Sequence, residues 1–167
     1  MNQRIIILLC AALALGSVGT LTAAEKGDAI PDCTVASTGE ATNFNLKQFQ
    51  GKVLYIDFWA SWCSHCAQSF PFLNTLNHEF KDRGLQVIAI NLDENLADAQ
   101  DFLAKYPPNF MVAVDAKQQC ATDFGVKAMP SSYLVDRKGH IRHIHIGFRA
   151  GEAEELKALV EQLLAEH

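Results

Sequence analysis

Residues 53–66 read Val53-Leu54-Tyr55-Ile56-Asp57-Phe58-Trp59-Ala60-Ser61-Trp62-Cys63-Ser64-His65-Cys66. The first half is too apolar to have a wet face, as expected of a central strand covered on both sides. The second half is a Cys-x-x-Cys entering a helix. Two cysteines so placed close and reopen a small disulfide with little backbone movement. Cys63 falls where unpaired backbone N–H groups and the positive end of the helix dipole favour an anion, so its thiolate is stabilised. A protonated His65 between the cysteines would favour that thiolate further. Cys66, one turn inside, is shielded and suits a resolving thiol. Other uses of the motif fit less well. A zinc site lacks its usual second pair, and c-type haem attachment needs a His where Ala67 stands. A structural staple across so short a loop would constrain the unfolded chain little. The motif reads as a redox site.

The 167 residues suit one domain, and residues 1–24 do not belong to it. Met1 to Arg4 is a short basic start, Ile5 to Leu15 an apolar stretch, and Thr22-Ala23-Ala24 a small-residue cleavage site. Leu9 is too large for the position before a lipidated Cys10. An uncleaved anchor is the alternative, although the apolar run is short for a membrane span. The domain is then 25–167, with 13 basic and 19 acidic side chains and net charge −6. That balance argues against nucleic acid and supplies no basic patch for anionic lipid. Export places Cys33, Cys63, Cys66 and Cys120 where disulfides persist, a periplasm being the natural setting.

Along the domain, 30–36 reads as a short strand, 37–40 as a turn and 44–49 as a helical or irregular connector. The Cys-x-x-Cys helix is expected over 62–83, with Phe70, Leu73, Leu76 and Phe80 at helical spacing, Pro71 inside it and Gly84 as its stop. A buried strand follows over 85–91. A helix capped by Asn95 runs to Lys105 with Leu96, Ala99 and Leu103 facing in. Next come a strand over 110–114, a helix over 116–124, and strands over 131–135 and 140–146 joined by the turn Asp136-Arg137-Lys138-Gly139. An amphipathic helix over 152–166 closes the chain. The class is α/β with a mixed sheet flanked by helices.

At Asp57–Cys66 and Met129-Pro130 the sequence resembles the thioredoxin superfamily. More narrowly it resembles the TlpA/ResA-like periplasmic thiol–disulfide oxidoreductases. The exported start, the Pro31-Asp32 strand, the entry Gly51-Lys52-Val53, the insert over 91–114 and Asp136–Gly139 add to the likeness. The resemblance implies a thioredoxin fold with an N-terminal strand extension and a central αβ insert. It makes Cys63 the attacking thiol, Cys66 the resolving thiol and Pro130 a cis-proline facing the disulfide. Met129 would pair with a substrate strand, and Trp62 would join the docking surface. Asp57 matches thioredoxin's buried acid, which takes the proton from Cys66. Glu94 matches the insert glutamate that many ResA-like members use instead, or it is a solvated first-turn residue. Ser64 and His65 tune the potential, because stabilising the Cys63 thiolate makes the disulfide a better oxidant.

Cys33 and Cys120, 87 positions apart, are expected as two buried free thiols. A disulfide between them is the alternative, worth on the order of 4 kcal/mol. His140, His143 and His145 read as a solvated sheet face rather than a metal site. The resulting expectation is an exported enzyme that reduces protein disulfides, in cytochrome c maturation or the reduction of metal-site thiols. The dithiol is the redox centre, without a prosthetic group or metal. Its partners are protein thiols and disulfides, with a membrane thiol transporter as electron donor, and the chain is expected to be a monomer. A disulfide oxidase or isomerase, using the same chemistry in reverse, is one alternative. A copper-binding chaperone holding Cu(I) at Cys63 and Cys66 is the other. A peroxiredoxin is disfavoured because Thr-x-x-Cys does not occur at Cys63.

Overall fold

The structure, a computed structural model, describes residues 23–38 and 42–166. The expected leader at 1–24 lies almost wholly outside the described residues. Its last two, Ala23 and Ala24, do not: Ala23 abuts Gly125, where a Cβ would collide with it, and Ala24 packs on the core. Among the described residues no helix is long and apolar enough to cross a membrane.

Seven strands form one mixed sheet. β1 is Thr34–Ser37, β2 Asn43–Asn45, β3 Val53–Trp59, β4 Leu85–Asn91, β5 Met111–Val114, β6 Ser131–Val135 and β7 Ile141–Ile146. Their order is β2-β1-β5-β4-β3-β6-β7. β3, β4 and β5 are parallel, and the outer pairings are antiparallel. The helices are α1 at Ser64–Phe80, α2 at Leu96–Lys105, α3 at Gln119–Phe124 and α4 at Ala153–Ala165.

β3 is central, and every one of its residues is buried. Alternation along the strand sends Val53, Tyr55 and Trp59 into one core, with Cys66 and Phe70 of α1, Phe102 of α2 and Val160 of α4. Leu54, Ile56 and Phe58 enter the opposite core, with Cys120 and Phe124 of α3 and with the N-terminal extension. Asp57 belongs by alternation to the α1 face, and it is the one ionisable acid among these apolar neighbours.

Four expectations need correction. Cys33 and Cys120 are not free thiols but are disulfide-bonded, tying the N-terminal extension to α3 inside the second core. The segment 44–49 is not only a connector: β2 precedes a short 3-10 turn at Leu46–Phe49, because three residues can add an edge to β1 without any readable alternation. α3 starts late, since Asp115 accepts from the amides of Gln119 and Ala121 while Gln118 takes a left-handed φ of 52°. On α2 it is Phe102 that reaches the core beside Ala99, and Leu96 is exposed.

Candidate active site

The strand-to-helix turn after β3 places the two cysteines. The Cys63 amide bonds to the Ala60 carbonyl at 3.1 Å, and Cys63 is the N-cap of α1. Its Sγ accepts the Cys66 amide at 3.2 Å, so one of the helix's unpaired donors is already aimed at this sulfur. Cys63 and Cys66 are disulfide-bonded, with Cα atoms 5.3 Å apart. Cys63 keeps 6% exposure and Cys66 none. Ser64 and His65 between them are exposed.

Two grooves meet at Trp62, 71% exposed, and one of them is lined by Cys63. One lies between α1 and α2, with Asp98, Asp101 and Tyr106 along it. The other runs beside Val126, Lys127 and Met129. The Met129-Pro130 peptide is cis. Its loop is tied down by the Ser131 hydroxyl, which donates to the Ala128 carbonyl at 2.7 Å, and by the Gly147 amide, which donates to the Pro130 carbonyl at 2.7 Å.

Asp57 is fully buried. Burial pushes its carboxyl up to about 7, against the lowering effect of the Ser132 hydroxyl, which donates to Oδ1 at 2.6 Å. Oδ2 has no hydrogen-bond partner among the described residues. The neighbouring Tyr55 phenol is also pushed up, first by burial and then by the Asp57 charge. Glu94 stands exposed in the loop before α2, outside this cluster.

The acid that sequence reasoning missed is the one beside it. Asp93 is 5% exposed and accepts from the Ser61 amide at 2.9 Å, the Ser61 hydroxyl at 3.0 Å and the Asn91 side-chain amide at 2.7 Å. Its position just past the carboxyl end of a parallel strand was the available signal, since sites of open α/β sheets form there. Ser132 was missed as well, because it meets Asp57 only through the β3–β6 register.

A cysteine pair capping a helix, a cis Met129-Pro130 peptide and a buried acid on the α1 face of the sheet define a thioredoxin-fold thiol–disulfide exchange protein. The Redoxin family model matches residues 25–163. The ResA thiol–disulfide oxidoreductase of Bacillus thuringiensis subsp. konkukian is 33% identical over 144 residues, covering 83% of each chain. The ResA of Geobacillus thermodenitrificans is 27% identical over 98% of this chain and 94% of its own. A crystal structure from Chlorobium tepidum, assigned as thiol:disulfide interchange protein DsbE, is 41% identical with a TM-score of 0.82, over 86% of this chain and 100% of that one. The chain belongs to the Redoxin family, as a ResA-like protein-disulfide oxidoreductase. The copper-chaperone alternative finds no support in these relatives.

Proposed function

We propose that the protein is exported and reduces protein disulfides through Cys63 and Cys66. The Cys63 thiolate attacks one sulfur of a client disulfide and forms a mixed disulfide, and the first client sulfur leaves and takes up a proton. Cys66 gives its proton to Asp57 and attacks Cys63. The Cys63–client bond breaks, the second client thiol departs, and two electrons have passed from the dithiol to the client. The pair itself is the redox centre, and no prosthetic group or metal enters the reaction. Trp62 and the Met129-Pro130 loop receive the client chain. Ser64 and His65 set the potential.

The observation that carries this reading is the asymmetry of the pair: Cys63 is the helix N-cap and keeps a 6% exposed edge, while Cys66, one turn inside, has none. Asp57 is preferred to Glu94 as proton acceptor because it is buried on the α1 face and Glu94 is solvated. A periplasmic address, electron supply from a membrane thiol transporter and clients in cytochrome c or metal-site assembly follow from the resemblance to ResA-like proteins. Equilibration against glutathione or dithiothreitol tests the direction. A potential of about −270 to −230 mV marks a reductant, whereas about −120 mV would make the protein a disulfide donor.

A further inference from the structure

The Asp57 carboxylate has one oxygen occupied and one open. The Ser132 hydroxyl fills Oδ1 at 2.6 Å, while Oδ2 is buried without a hydrogen-bond partner among the described residues. Asp57 and Ser132 are directly opposed in the antiparallel β3–β6 register. Ser132 lies two residues beyond Pro130, and Ser131 between them anchors the loop to the Ala128 carbonyl. β6 therefore starts directly after the cis Met129-Pro130 peptide and carries the hydroxyl that holds the buried acid.

We propose that Ser132 is a positioning residue for the exchange reaction: it fixes Asp57 through Oδ1, leaves Oδ2 to accept the Cys66 proton, and links that acid to the Met129-Pro130 loop. The inference rests on Asp57 being the proton acceptor. In the step concerned, the S–H bond of Cys66 breaks and its proton passes to Oδ2 as the Cys66–Cys63 bond forms and the client thiolate leaves. A hydroxyl donor favours the ionised carboxylate, the form able to take that proton. Of the ionisable groups on this side of the sheet, Tyr55 on β3 interacts with the Asp57 charge, and Cys66 of α1 lies in the core on the same face. The core side chains from β4 and α4, Val87, Ala89, Val160 and Leu163, carry no charge. Among the described residues the Ser132 hydroxyl is thus the polar contact that opposes the effect of burial on this acid.

The test uses the full chain with glutathione preloaded on Cys63 as a mixed disulfide, and follows thiol release against pH. The Asp57 side-chain carboxyl is titrated in parallel by 13C NMR on the oxidised protein. Ser132→Ala is expected to raise that titration by about one unit or more and to move the release profile alkaline by the same amount. From a midpoint near 7, a one-unit rise leaves about a tenth of the acid ionised at pH 7 instead of half, a loss of about fivefold in rate. Ser132→Thr, which keeps the hydroxyl, should restore both readouts, and Ser132→Val, its near-isostere without one, should not. Unmoved titration and profile in folded Ser132→Ala and Ser132→Val would overturn the role of Ser132 alone, provided Asp57→Asn is slow. If Asp57→Asn releases glutathione as fast as the unaltered protein, the acceptor role of Asp57 falls, and that of Ser132 with it.

Discussion

Asp93 holds Ser61 by two contacts, accepting its backbone amide at 2.9 Å and its hydroxyl at 3.0 Å. Ser61 precedes Trp62 and Cys63, so this acid from the end of β4 anchors the turn that leads into Cys63. The Leu92 amide reinforces the joint by bonding the Trp59 carbonyl at 2.9 Å. Asp93→Ala should strand the Ser61 and Asn91 donors and cost about 1–3 kcal/mol of stability. A denaturant titration reads that loss. Exchange activity should fall further than the loss of folded protein accounts for, because the Cys63 turn loses its anchor.

The second disulfide should be felt in stability far more than in chemistry. Cys33 and Cys120 are buried on the α3 face of the sheet, and Cys63 and Cys66 lie on the α1 face. Replacing both by alanine releases a link between positions 87 apart and should lower stability by about 2–5 kcal/mol. The Cys63–Cys66 potential should stay within the error of the glutathione equilibration. A shift of tens of millivolts would show that the two faces communicate.

Trp62 is 71% exposed between two grooves, whereas Trp59, three residues earlier, is fully buried. Trp62→Ala should therefore leave the melting temperature nearly unchanged. Loss of an aromatic anchor should raise KM for a protein disulfide by about tenfold, with kcat little affected. A small substrate such as oxidised glutathione, too short to span the grooves, should hardly notice the change.

How far the sequence could be read follows from how local each signal is. β3 and β4 were legible as unbroken apolar runs, and α1 through its periodicity and the Gly84 stop, because burial writes itself into consecutive residues. The cysteine pair and Asp57 were legible for the same reason, lying within one ten-residue run. The Cys33–Cys120 bond was not, since it depends on the extension folding back over α3. Ser132 escaped because an antiparallel register between β3 and β6 leaves no trace in either strand alone. On α2 the inward positions Leu96, Ala99 and Leu103 were expected, but a helix this short fixes its face poorly: Leu96 is exposed, and Phe102 packs against Trp59 and Phe70 with ring centroids 4.7 and 5.0 Å apart.

Asp57 should make the stability of the protein depend on pH in an unusual direction. Burial raises the folded carboxyl from 3.8 to about 7, so between those values the folded chain holds a proton that the unfolded chain has released. Stability from this group is full below about pH 4, declines as pH rises through the window and levels off above about 7. The whole span corresponds to on the order of 4 kcal/mol. Asp57→Asn removes the titration and should flatten this part of the curve, leaving the variant more stable than the unaltered protein above pH 7 and less active in releasing client thiols. Urea unfolding of the oxidised forms at pH 4.5, 6 and 8 checks the sign. Two parallel curves, with no convergence toward low pH, would show that the buried carboxyl titrates at its ordinary value.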